Sequence, residues 1–111
     1  MITVNIAADY TKMPGGRLIK EGPFSGEDFR EKILKPNYLK AKASKQNLTV
    51  ILDGGFGYAT SFLEEAFGGL VREFADPDIL NIIIISDEEP AWLAKIESYI
   101  KDQLIEKGVQ F

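Results

Sequence analysis

Hydrophobic and polar positions change rhythm several times along this chain, and each change marks an element. Ile2, Val4 and Ile6 alternate with Thr3 and Asn5, the period of two expected of a half-buried strand. Pro14-Gly15-Gly16 is a turn signal, and Arg17 to Lys20 is expected as a short second strand. Phe24 to Phe29 then announces a helix: Ser25 is placed to cap it, Asp28 falls at the third helical position, and Phe24 and Phe29 are spaced as a hydrophobic staple. Pro36 is expected to stop that helix near Leu34, with a second short helix over 36–44. Leu48, Val50, Ile51 and Leu52 form a clear strand closed by Asp53-Gly54-Gly55. From Ser61 the period becomes helical, with Leu63, Ala66, Phe67, Leu70, Val71 and Phe74 on one face. Leu80 and Ile82 to Ile85 read as a continuous apolar strand in the covered middle of a sheet. Pro90 opens a last helix whose apolar face is Trp92, Leu93, Ile96, Ile100 and Leu104, with Gly108 as its stop. Val109 and Phe111 are expected to pack back onto the body.

Strands alternating with helices imply right-handed crossovers. The expected fold class is α/β: a single small domain over 1–111, with a mixed, partly parallel sheet of about four strands and helices packed against it. A chain of 111 residues supports one modest core.

Composition removes several kinds of chemistry. There is no cysteine, so disulfides, thiolate nucleophiles and cysteine-held zinc are excluded. There is no histidine, which excludes Ser-His-Asp and Cys-His catalysis and imidazole metal sites. The 13 Lys and Arg residues are interleaved with 17 acids, net charge −4, so no basic stripe marks a nucleic-acid partner. Lysines 32, 35, 40, 42 and 45 read as a solvated helix face. The first residues carry no basic n-region or long apolar run, so neither a signal peptide nor a membrane segment is expected, and the expected location is cytoplasmic. No cofactor or metal is expected, and acid–base chemistry by Asp53 or another carboxylate has little around it to work with.

The chemistry that remains gathers in the turn between the second clear strand and its helix. Gly55-Phe56-Gly57 matches the first two glycines of G-x-G-x-x-G, but Thr60 replaces the third and no loop lysine follows. Thr60 and Ser61 stand at a helix start, where backbone N–H groups favour negative charge. A hydroxyl there can be a cap, an anion contact or a phosphorylation site. Ser61-Phe62-Leu63-Glu64 fits the S-x-x-E capping box, in which Ser61 caps and Glu64 reaches back. Gly68-Gly69 inside the helix points to close packing, or else to a flat surface where a partner docks.

The stretches Gly16-Arg17, Gly22 to Arg30, Leu52 to Gly55 and Thr60 to Gly68 resemble the STAS-like domain family, a bacterial group of unknown function. The resemblance implies a small mixed sheet with helices against it, and a regulatory interaction module rather than an enzyme. In the related anti-sigma factor antagonists a D-S-S-G motif occupies this turn, and its second serine is phosphorylated by a kinase-like anti-sigma factor. On this chain the motif falls on Ala59-Thr60-Ser61-Phe62, so Ser61 matches the phosphorylated serine and Thr60 the residue before it. Its aspartate and glycine are replaced by Ala59 and Phe62. The resemblance implies a protein partner, a histidine-kinase-like ATPase or anti-sigma-type kinase, and Ser61 or Thr60 as phosphoacceptor. Partner contact is expected at Asp53, Gly54, Gly55, Gly57, Tyr58 and Glu64. The alternative is a small-ligand or nucleotide-binding domain using Gly54 to Gly57 and the following helix N-terminus.

Overall fold

A computed structural model describes residues 1–111. Three strands, β1 (Ile2–Asn5), β2 (Leu48–Ile51) and β3 (Ile83–Ile85), form one sheet in the order β1-β2-β3. Both pairings are parallel, with Val4 opposite Val50 and Val50 opposite Ile84. The sheet is therefore wholly parallel and has three strands rather than about four. The segment expected as a second strand instead makes a short 3-10 turn, Ile19–Glu21, ended by Gly22 at φ 148°.

Side chains alternate across a sheet, so the register sorts its two faces. Val4, Leu48 and Val50 point into a core shared with Phe29, Leu34, Phe62, Phe67 and Leu70 from the helices, and with Ile96 and Leu104. Ile2, Ile82 and Ile84 border that core. The other face presents Thr3, Asn5, Thr49, Ile51, Ile83 and Ile85, none of which belongs to the core cluster. Parallel sheets usually carry helices on both faces; here the second face is bare of helices, and Thr49 at its centre is buried beside Met1.

The chain enters a helix at residue 26 and stays helical to 44. Ser25 caps it, its Oγ accepting from the Asp28 N–H at 3.0 Å. The staple expected between Phe24 and Phe29 runs through Tyr10, whose ring lies 5.6 Å from Phe24 and 5.4 Å from Phe29. Pro36 does not end the helix. The turn before it widens over Arg30–Leu34, so that the Lys35 N–H reaches back five residues to the Arg30 carbonyl. Such a wide turn gives a proline ring room that a regular α-turn denies it.

The second helix spans 60–74 and widens in the same way over Glu64–Gly68. Ala75 ends it in the left-handed region at φ 49°, and a 3-10 turn, Pro77–Asn81, delivers the chain to β3. Leu80 belongs to that turn and not to the strand. β3 is an edge strand, with Ile83 40% exposed, and the middle position belongs to β2. A run of isoleucines marks a strand but not its place in the sheet. The last helix, Ala91–Glu106, follows Pro90, and Gly108 adopts φ 69° beyond it. Val109 packs against the core, whereas Phe111 is exposed. No helix is long and apolar enough to cross a membrane.

Candidate functional site

The turn 52–59 leaves the carboxyl end of β2 beside the loop that leaves β3, the end at which parallel α/β sheets assemble their sites. Asp53 ties the two loops together: its carboxylate accepts from the Asp87 N–H at 3.0 Å and the Glu88 N–H at 2.9 Å. Glu88 answers by accepting from the Gly54 N–H. The Tyr58 hydroxyl donates to the Leu52 carbonyl at 2.7 Å, and its ring packs on Phe62 and edge-on against Trp92. Burial pushes the Tyr58 phenol up to about 12, with Asp53 and Glu88 adding to the shift, so this hydrogen bond holds across ordinary pH. Gly54 and Gly57 adopt φ 98° and 114°, a region L side chains avoid, which is the reason for glycine at both.

Between these loops lies a cavity of about 150 Å³ bordered by Asp53, Gly55, Gly57, Tyr58, Glu88 and Trp92, among others. Sites for drug-sized ligands run to roughly 300–1,000 Å³. This one is smaller, its carboxylate Asp53 is already bonded to backbone, and its remaining charges are acidic. It does not suit the phosphates of a nucleotide. Beside it Phe56 stands 83% exposed at the tip of the turn, anchored through its N–H to the Lys12 carbonyl at 2.9 Å. Phe56 is a site residue beyond those the sequence reading names, although a large apolar side chain between two glycines of a turn is itself a signal.

Ser61 does not cap the helix. The N-cap lies two residues earlier, at Ala59, with no side-chain bond to it, and the helix starts at Thr60. Thr60 and Ser61 are thus the first two helical residues, Thr60 exposed and Ser61 half-buried. The capping box fails because Glu64 is engaged elsewhere: it accepts from Arg17, and from Arg72 Nη1 at 2.8 Å. Burial pushes the Glu64 acid up, but the hydrogen bonds from Arg72 and Arg17 outweigh it and hold the group below the usual carboxylate range. Glu65 joins the network, accepting from Arg30 at 2.6 Å on both its carboxylate and its carbonyl. Glu64 and Glu65, the acids that would repel negative charge added near Ser61, are therefore matched by Arg17, Arg30 and Arg72.

This network also explains Gly68 and Gly69. A Cβ on Gly68 would collide with the Glu64 carboxylate, and one on Gly69 with the Arg30 guanidinium. Both glycines are buried, so close packing holds and the flat docking surface does not. Gly26 plays a similar part, unforeseen in the sequence. A Cβ there would collide with the Phe62 carbonyl, so the two helices cross at their first turns and Gly26 fixes where Thr60 and Ser61 stand.

A family model described as a STAS-like domain of unknown function matches residues 25–91. The chain belongs to the STAS-like domain family. The matched span of this STAS-like domain starts at the Ser25 cap and closes at the start of the last helix, so it holds both crossing helices, β2, β3 and the whole turn 52–59. No curated protein and no solved structure matches the chain.

Proposed function

We propose that this STAS-like domain is a non-enzymatic regulatory module that binds a protein partner through the turn 54–58 and the start of helix 60–74. Phosphorylation at Ser61 or Thr60 is its switch. The observation that carries this reading is a hydroxyl pair at a helix start with no capping duty: Ala59 holds the N-cap. Phosphate added there brings close to two negative charges to a site where backbone dipoles favour them. The nearest acids, Glu64 and Glu65, are already paired with arginines, which lowers the repulsion. Phe56, exposed at the turn, is the apolar anchor a partner would cover, and an added phosphate nearby would change that surface.

The resemblance to anti-sigma factor antagonists favours a histidine-kinase-like ATPase or anti-sigma-type kinase as partner, in a bacterial cytoplasm. Co-incubation with such a kinase from the same genome and ATP is expected to add one phosphate, read by intact-mass spectrometry. The double substitution Thr60→Ala, Ser61→Ala is expected to abolish the addition. Phosphorylation that persists in the double variant, or partner binding unchanged by it and by Phe56→Ala, would overturn the switch.

A further inference from the structure

We propose that β3 is a self-association edge, through which two copies of this chain pair antiparallel about a two-fold axis at Ile84. In a parallel ladder alternate residues bond to each neighbour. Ile83 and Ile85 face β2, as the Leu52 N–H to Ile85 carbonyl bond at 2.8 Å requires. The N–H and C=O of Ile84 therefore point outward, and no strand lies beyond β3 to meet them. Natural sheets guard such edges with lysine, proline or a bulge. From Ile82 to Ile85 this edge has none of these.

Apolar surface flanks the edge on both sides. On the helix-covered side an open groove of about 300 Å³ is lined by Leu80, Ile82, Ile84, Leu93, Ile96 and Ile100. Leu93 is 42% exposed at its rim, and on the bare side Ile83 stands out. A two-fold axis through Ile84 and perpendicular to the sheet keeps the last helix of each copy on the same side, so the two grooves and their Leu93 side chains would face each other across the axis.

The edge also fits itself. Pairing centred on Ile84 lets each Ile84 N–H donate to the carbonyl of the partner's Ile84. Each Ser86 N–H then donates to the carbonyl of the partner's Ile82. On the bare face Ile83 lies opposite the partner's Ile85, a pair of β-branched side chains of the kind that stabilises sheets. Charge selects the direction. Antiparallel pairing sets the acidic turn 87–89 opposite Ile79, Leu80 and Asn81 of the partner, beside an Asp78 already paired with Lys42, whereas parallel pairing would set the two acidic turns side by side. Glu97, the one charged residue in the groove, is held by its own Lys101 at 2.7 Å, so the surface is neutral.

Light scattering of the wild-type chain across a dilution series is expected to give twice the 12.4 kDa chain mass at high concentration. Ile83→Lys and Leu93→Lys lie at partly exposed positions and are expected to keep the native circular dichroism. Each should raise the dimer dissociation constant roughly a hundredfold. Hydrogen exchange supplies an independent reading: the Ile84 amide should be protected in the wild type and exposed in folded Ile83→Lys. A wild-type monomer with a freely exchanging Ile84 amide would overturn the proposal. So would a dimer that survives both lysines, or Ile84 protection that appears only when a different protein is added.

Discussion

Ser25 is 1% exposed and accepts from the Asp28 N–H, so its hydroxyl satisfies a helix-start donor in a part-buried setting. Thr60 and Ser61 occupy the corresponding part of the second helix without bonding its amides. The two sites should answer oppositely to loss of the hydroxyl. Ser25→Ala is expected to lower the unfolding free energy by about 1–2 kcal/mol in urea titration. Thr60→Ala with Ser61→Ala is expected to change it by less than about 0.5 kcal/mol. Equal losses at both sites would mean that Ser61 caps after all. Freedom from a structural duty is what makes a residue available for modification at little cost to the fold.

At the scale of elements, the decisive contact is the crossing of helices 26–44 and 60–74. Because a Cβ on Gly26 would strike the Phe62 carbonyl, Gly26→Ala must push one helix start away from the other. It is expected to cost about 2 kcal/mol by overpacking, against a gain of about 1 kcal/mol from helix propensity alone. A thermal melt shifted down, not up, is the check. Contacts of this kind mark the limit of reading a single chain. The strands at Ile2 and Leu48, the helix faces and the Ser25 cap follow from local spacing, and so they were legible. Whether Pro36 breaks a helix depends on a wide turn at Arg30–Leu34, and the role of Gly69 depends on Arg30 in another helix. Ser61 missed its cap because Glu64, the other half of the box, found Arg17 and Arg72. Position in the sheet is equally non-local: four isoleucines look the same in the middle and at the edge. At the site, Asp53 and Tyr58 stand in one place with the glycines, where their bonds hold the loops together, and the exposure of Phe56 follows from the turn's three-dimensional course.

Over the whole molecule, charge pairs and side-chain hydrogen bonds join segments far apart in the chain, and three of their acids bind protons less readily than usual. The Tyr10 hydroxyl and Lys32 lower Asp28, against the effect of burial. Burial raises Asp76, but hydrogen bonds from Lys42 and Tyr38 outweigh it, as Arg72 and Arg17 do for Glu64. A carboxylate lowered by folding adds stability that is complete above its unfolded value, 3.8 for Asp and 4.5 for Glu, and is lost as pH falls through the folded one. No histidine is present to titrate between pH 5 and 8. The urea midpoint is therefore expected to stay flat across that range and to fall in acid below about pH 4.5. Glu64→Gln should flatten part of that fall while lowering the plateau. A midpoint that instead rises on acidification would show that these ion pairs do not stabilise the fold.

Trp92 is the sole tryptophan of the chain, 7% exposed, and its indole meets the edge of Tyr58 with the Lys95 ammonium 5.0 Å from its ring centroid. Tyr58 in turn holds the turn that carries Phe56. The domain thus contains its own optical gauge: indole emission, from one place only, reports how that turn is set. Any binding or phosphorylation event that moves the turn can be followed in the unlabelled protein, in real time, by its intrinsic fluorescence.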